Sequence, residues 1–212
     1  MKKLFVFTGI FILALQSKAQ FFNSVALTVG GSAGNQKFFF HDPDAFSRKK
    51  YILGLNASFF GEFFSHDYAR WVSEIQYNQK GSIDRQPEDR YRNRLHYLSW
   101  NNYLKLRYEL YSVIPYVLVG PRLDYNLIQS TSSPVITGPF QKLHVSAAAG
   151  AGVEFISYSN WKFFVEGFYN PDIMKAYSRP GLHIKNKNLE LRVGLKYEFG
   201  ERETCNTPTY VE

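Results

Sequence analysis

The stretch Asn188-Leu189-Glu190-Leu191-Arg192-Val193-Gly194-Leu195-Lys196-Tyr197-Glu198-Phe199 decides the fold. Every odd position is apolar, and every even position is polar or glycine. A strand sends alternate side chains to opposite faces, so this segment has one greasy wall and one charged wall. A helix with the same pattern would have no coherent apolar face.

The same period recurs upstream. Leu143, Val145, Ala147, Ala149, Ala151, Val153 and Phe155 alternate with His144, Ser146, Ala148, Gly150, Gly152 and Glu154. Val117, Val119, Leu123, Tyr125 and Leu127 oppose Arg122, Asp124 and Asn126. Trp71, Ile75 and Tyr77 oppose Glu74, Gln76, Asn78 and Lys80. Trp161, Phe163, Val165 and Tyr169 oppose Lys162, Glu166 and Asn170. Leu98, Trp100, Leu104 and Leu106 face away from Ser99, Asn101, Lys105 and Arg107. Two further segments, Ser24 to Gly34 and Tyr51 to Phe63, are mostly apolar or small, which makes eight in all.

The links between segments alternate in length. Long links are expected at about 35–50, 82–94, 129–142 and 171–187, and short ones at 64–70, 109–114 and 157–160. Antiparallel barrels of outer membranes have short periplasmic turns and long outer loops. The expected fold is therefore all-β: an eight-stranded antiparallel up-and-down transmembrane barrel with both termini periplasmic.

The start of the chain fits export. Lys2 and Lys3 precede an uncharged apolar run, Leu4 to Leu15, and small residues stand at Ser17 and Ala19. These features read as a signal peptide over 1–19, and the run is too short to span a bilayer as a helix. The barrel is then expected over 20–199, followed by a short polar periplasmic tail over 200–212. The full chain carries 25 basic and 18 acidic residues, a net charge of +7. Removing Lys2, Lys3 and Lys18 leaves +4, scattered and without the basic stripe of a nucleic-acid surface. Cys205 is alone, so no intramolecular disulfide forms.

Period two also suits a soluble lipocalin-like barrel of the periplasm, turned apolar side in. Three features favour the membrane. Strands of about 10–13 residues match a tilted bilayer crossing. Trp71, Tyr77, Trp100, Trp161, Tyr169, Tyr197 and Phe199 lie near strand ends, as interfacial girdles do. The polar face mixes charges with small residues, which suits a narrow lumen where every polar group needs a partner. Aromatic content of 17% beside a mean hydropathy of −0.28 fits strands greasy on one face only.

Glu74-Ile75-Gln76-Tyr77-Asn78-Gln79-Lys80-Gly81, Tyr97-Leu98-Ser99-Trp100 through Tyr108, Pro115-Tyr116-Val117-Leu118-Val119-Gly120-Pro121 and Gly150-Ala151-Gly152-Val153-Glu154-Phe155 occur in that order. Together they resemble the PorT-like outer-membrane barrels of Bacteroidota, porin-like proteins that include a secretion accessory. Ser99 and Asn101 stand where that family has Glu and Pro, and 13 residues follow Phe199. The resemblance implies an outer-membrane barrel and no single activity.

The expected lumen cluster is Glu74, Lys80, Arg122, Asp124, Glu154, Glu166, Glu190, Arg192, Lys196 and Glu198. Eight strands enclose only enough room for such side chains, so a plugged scaffold, a binding role or a narrow channel is expected rather than a wide pore. An enzyme is not expected. One alternative is an outer-membrane lipid A deacylase-like hydrolase using His144 and Ser146, which share a strand face; Glu154 or Glu166 would orient the histidine. The five histidines fall at unrelated spacings, so neither metal nor cofactor is indicated. Expected partners are outer-membrane lipid and lipopolysaccharide, the barrel-assembly machinery, and a protein bound through outer loop 82–94, which is rich in Arg and Tyr, or through outer loop 171–187.

Overall fold

In the computed structural model, the described residues are 22–40, 49–64, 66–85, 90–134, 136–157 and 159–199. The expected signal peptide, the tail and Cys205 lie outside them. The strands are β1 (Phe22–Phe40), β2 (Lys49–Lys50), β3 (Ile52–Phe63), β4 (Ala69–Arg85), β5 (Arg90–Arg107), β6 (Val113–Thr131), β7 (Leu143–Phe155), β8 (Trp161–Pro171), β9 (Tyr177–Arg179) and β10 (Leu182–Glu198). Eight of these are long. Each pairs antiparallel with the next, and β1 closes the ring on β10 from Ser24↔Glu198 to Phe40↔Leu182.

The ring is staggered. A walk across paired residues runs Phe155, Phe163, Leu195, Leu27, Phe59, Ile75, Trp100, Leu123 and Val145. It leaves β7 at Phe155 and returns ten residues away at Val145. Ten residues of stagger over eight strands tilts the strands by about 40° and sets a backbone radius of about 8 Å. An interior of that radius is filled by side chains alone.

The expected links differ from those observed. The three short turns, 64–68, 108–112 and 156–160, sit at one end, here the turn end. At the far end the strands run on. β4 and β5 pair from Ala69↔Leu106 to Arg85↔Arg90, so most of the expected loop 82–94 is a hairpin. β1 extends to Phe40, β6 to Thr131 and β10 begins at Leu182, which takes strand into the expected loops 35–50, 129–142 and 171–187. The long strands span 11 to 19 residues instead of 10 to 13. The charge and polarity of these stretches read as loop. Yet their ladder continues, and Gln36, Ser82, Asn93 and Leu95 keep the inward phase.

The exterior is apolar: Leu27, Leu53 and Leu191 are 64%, 76% and 66% exposed. A continuous greasy surface of this kind suits lipid rather than water. Correcting for stagger places Trp161, Tyr197, Phe199 and Trp71 near the turn end. Tyr169, Trp100 and Tyr77 form a second ring about eight residues higher, or about 20 Å along the axis. Outward Ala149, Ala151 and Gly167 leave the belt thin between β6 and β8, beside an apolar groove of ≈ 850 Å³ that also reaches Leu106, Tyr108 and Leu191.

Inward glycines make room for rings from neighbouring strands. A Cβ on Gly194 would lie 2.2 Å from the Phe164 ring, and one on Gly152 would lie 2.5 Å from Tyr116. This spacing lets a layer of Phe60, Val72, Tyr103, Tyr116, Leu118, Phe164 and Phe168 pack inside the barrel.

Candidate functional site, the charged lumen

The lumen is layered, because each strand contributes one inward residue per two. At the turn end, Lys105 Nζ donates to Glu62 (2.5 Å) and to Glu154. Lys196 Nζ donates to Glu154 Oε2 at 2.5 Å and lies 3.1 Å from Glu198. Arg70 Nη1 bridges Glu62 and Glu198 at 2.8 and 3.0 Å, and Lys162 meets Glu198 at 2.6 Å. The Lys105 ammonium also sits 4.1 Å from the Tyr116 ring centre.

Next comes the aromatic layer, crossed by Arg192. Its guanidinium meets Glu74 at 2.6 Å and Glu166 at 2.8 Å, and lies 4.1 Å over the Phe168 ring. Tyr116 donates to Glu166 (2.9 Å), and Asn101 donates to Glu74 (2.7 Å).

Above it, Glu190 accepts five donors: Gln76 (2.7 Å), Asn78 (2.5 Å), Asn170 (2.5 Å), Asn188 (3.0 Å) and Arg122 (3.1 Å). Arg122 Nε also donates to Asp124 Oδ1 at 2.8 Å, which Ser99 approaches at 2.5 Å. Asp124 Oδ2 accepts Lys80 at 2.8 Å and Ser146 at 2.6 Å. Beyond this layer, Leu95, Tyr97, Ile136, Phe140, Ala176, Tyr177, Leu182 and Ile184 form an apolar cap, with Phe38 and Phe40 against it.

The ten residues read from the sequence all take part in these pairs. Nine are buried, and Glu198 is partly exposed with a 23% accessible side chain at the turn-end mouth. Their separation into layers could not be read from the sequence. Glu62, Arg70, Lys105, Lys162 and Asp172 join these pairs without having been expected there. Glu62 sits in the segment with the faintest alternation, Arg70 and Asp172 fell in expected links, and Lys105 and Lys162 had the right phase but no visible partner. Burial of lone charges would be prohibitive, so inward phase alone was the usable signal.

His144 and Ser146 share the inward face, both buried. The Ser146 hydroxyl donates to Asp124 and not to His144, whose nitrogens have no hydrogen-bond partner. A serine nucleophile needs its base within hydrogen-bond reach, and that contact is not made.

A void between Phe60, Glu62, Val72, Tyr103 and Arg192 measures ≈ 10 Å³, no more than one water needs. Between the cap and the turn-end cluster lie the ion-paired layers and the aromatic layer of the described residues.

No family model matches the chain, and no curated protein matches it. Solved structures do. The outer membrane protein OprG from Pseudomonas aeruginosa is similar over 86% of this chain and 99% of its own, with 10% identity and a TM-score of 0.56. The outer membrane protein AlkL in DMPC bilayers is similar over 88% of this chain and 94% of its own, with 13% identity and a TM-score of 0.52. With its closed eight-strand ring and apolar exterior, the chain has the fold of the outer-membrane β-barrels.

Proposed function

We propose that this protein spans the outer membrane as a closed, non-enzymatic scaffold that works through its far-end hairpins rather than through a pore. The observation that carries this reading is the lumen, where ion pairs and an apolar cap occupy the space a solute would need. Planar-bilayer recordings of the purified monomer test it. The expected result is no large, stable conductance; steady openings would refute the plugged lumen.

The far end suits the cell exterior. Among the described side chains, the exposed charges there are basic, including Lys37, Lys50, Arg92, Lys142, Lys175 and Arg179. Lys37 lies opposite Lys185 in the β1–β10 register and beside the Lys187 ammonium, a like-charge crowding that a bound anion relieves. Lipopolysaccharide phosphates supply such anions. This orientation leaves both barrel termini in the periplasm. Lys142→Cys in a Cys205→Ser background should then react with an impermeant maleimide on intact cells; labelling only after lysis would reverse the orientation.

The finer reading, a PorT-like accessory of secretion in Bacteroidota, rests on the four ordered motifs. Pull-down through the 82–94 hairpin from native membranes tests for that partner; deletion of 84–92 that leaves the co-purifying proteins unchanged removes it. The hydrolase alternative predicts lipid A losing acyl chains on expression, abolished by Ser146→Ala; mass spectra of lipid A should show no loss.

A further inference from the structure

Near the far end of the lumen, Asp124, His144 and Asp172 bring one ligand atom each to within 4.8 Å of one another, all buried. His144 Nε2 lies 3.4 Å from Asp172 Oδ1 and 3.6 Å from Asp124 Oδ2. Both nitrogens of this 1% exposed imidazole lack a hydrogen-bond partner. Zinc holds nitrogen and oxygen ligands at about 2.0–2.1 Å, which sets the edge of its tetrahedron at about 3.3–3.4 Å. The two carboxylate oxygens therefore each stand close to a tetrahedral edge from the imidazole nitrogen.

We propose that Asp124, His144 and Asp172 form a binding site for one divalent transition-metal ion, zinc foremost, that staples the β7–β8 seam of the barrel. Four observations support it.

First, the outer shell is in place. Asp172 Oδ2 is fixed by the Asn186 backbone N–H (2.8 Å) and side-chain amide (2.7 Å), and Asp124 Oδ1 by Ser99 and Arg122. Such contacts orient ligating carboxylates.

Second, the charges call for a cation. Around the site, Lys80 and Arg122 face Asp124, Asp172 and Glu190. Two cations against three carboxylates leave net negative charge in a buried space, which favours a bound cation there.

Third, the ligands mix one imidazole with two carboxylates. Imidazole favours zinc, copper, iron and nickel, and harder ions prefer all-oxygen sets.

Fourth, the seam needs a clasp. The β7–β8 ladder runs only from Phe155↔Phe163 to Ala149↔Tyr169. Above it, the contacts are the Ser146↔Asp172 bridge, donation from the Ile173 and Met174 N–H groups to Val145 O, and donation from the Gln141 N–H to Ala176 O at 2.8 Å. A metal joining His144 of β7 to Asp172, just past β8, closes the part of the seam that the ladder leaves.

Lys80 is the competitor. Its ammonium sits 2.8 Å from Asp124 and 3.5 Å from Asp172, and the Tyr97 ring, 5.2 Å away, offers it a second resting place. Metal entry displaces this ammonium.

The test uses the full mature chain, refolded in detergent after metal stripping and titrated with zinc chloride. Heat-modifiable mobility confirms that each variant is folded. Expected are one zinc per chain, at least a tenfold weaker affinity in His144→Ala and Asp172→Asn, and about tenfold tighter binding in Lys80→Met. Zinc should also slow amide exchange over 143–148 and 172–174. X-ray absorption of the wild-type complex needs no variant. One imidazole with oxygen neighbours at about 2.0–2.1 Å supports the site. A sulfur neighbour, which would place zinc on Cys205, overturns it. So does a folded wild-type chain that retains no zinc, or binding undiminished by His144→Ala.

Discussion

Replacing Arg192 with Met tests whether the lumen is held by its ion pairs. The substitution keeps an apolar stem over Phe168 but removes contacts to Glu74 at 2.6 Å and Glu166 at 2.8 Å. Glu74 retains Asn101, and Glu166 retains Tyr116; neither partner carries charge. Breaking one side of a buried pair costs about 3–5 kcal/mol. The carboxylates escape by taking protons. For an ordinary glutamate this costs about 3.7 kcal/mol each at pH 7 and about 1 kcal/mol each at pH 5. The variant should therefore lose about 3–5 kcal/mol at pH 7 and clearly less at pH 5. The sign follows from proton uptake: between these pH values the variant's folded state binds protons that its unfolded state does not, so acid favours folding. Adding Glu74→Gln and Glu166→Gln should restore most of the loss. Urea titration in phospholipid vesicles reads this out, since Trp71, Trp100 and Trp161 all face outward. A loss under about 1 kcal/mol at pH 7, or one equal at both pH values, would refute the reasoning.

Other substitutions probe the remaining layers. Leu27→Arg, in mid-belt, should cost about 2–4 kcal/mol in the same vesicle titration, whereas a water-facing position would barely respond. Gly194→Val should cost about 1–3 kcal/mol because its Cβ would fall 2.2 Å from the Phe164 ring, and Phe164→Leu in the same chain should recover part of it. Backbone amides of Ser82 and Asn93 should exchange slowly with deuterium, as paired strand residues do; fast exchange would return this stretch to a loop.

Strand number, strand phase and the charged interior were legible because period two survives in most segments. Lys105 and Lys162 show what phase alone misses: which lysine meets which glutamate depends on the ten-residue stagger, a property of the closed ring rather than of any segment. Strand ends were misjudged for a related reason. Beyond the lipid belt, outward positions turn polar, so residues such as Arg92 and Lys187 look like loop while their backbones stay laddered. The Asp124, His144 and Asp172 grouping draws on two strands and the residue following a third, 20 to 48 positions apart, and no local spacing announces it.

The pairing of β1 with β10 governs how the barrel is built. Every other long-strand seam joins neighbours in sequence, but Ser24 meets Glu198, 174 positions away. Closing that seam carries the largest loop entropy in the chain, and it must wait until the intervening hairpins exist. Until then two unpaired edges face the bilayer, where unsatisfied backbone groups are costly. Insertion and closure are therefore coupled into one slow, all-or-none step. A chain cut short anywhere within Leu182–Glu198 should stall outside the membrane rather than form a smaller barrel.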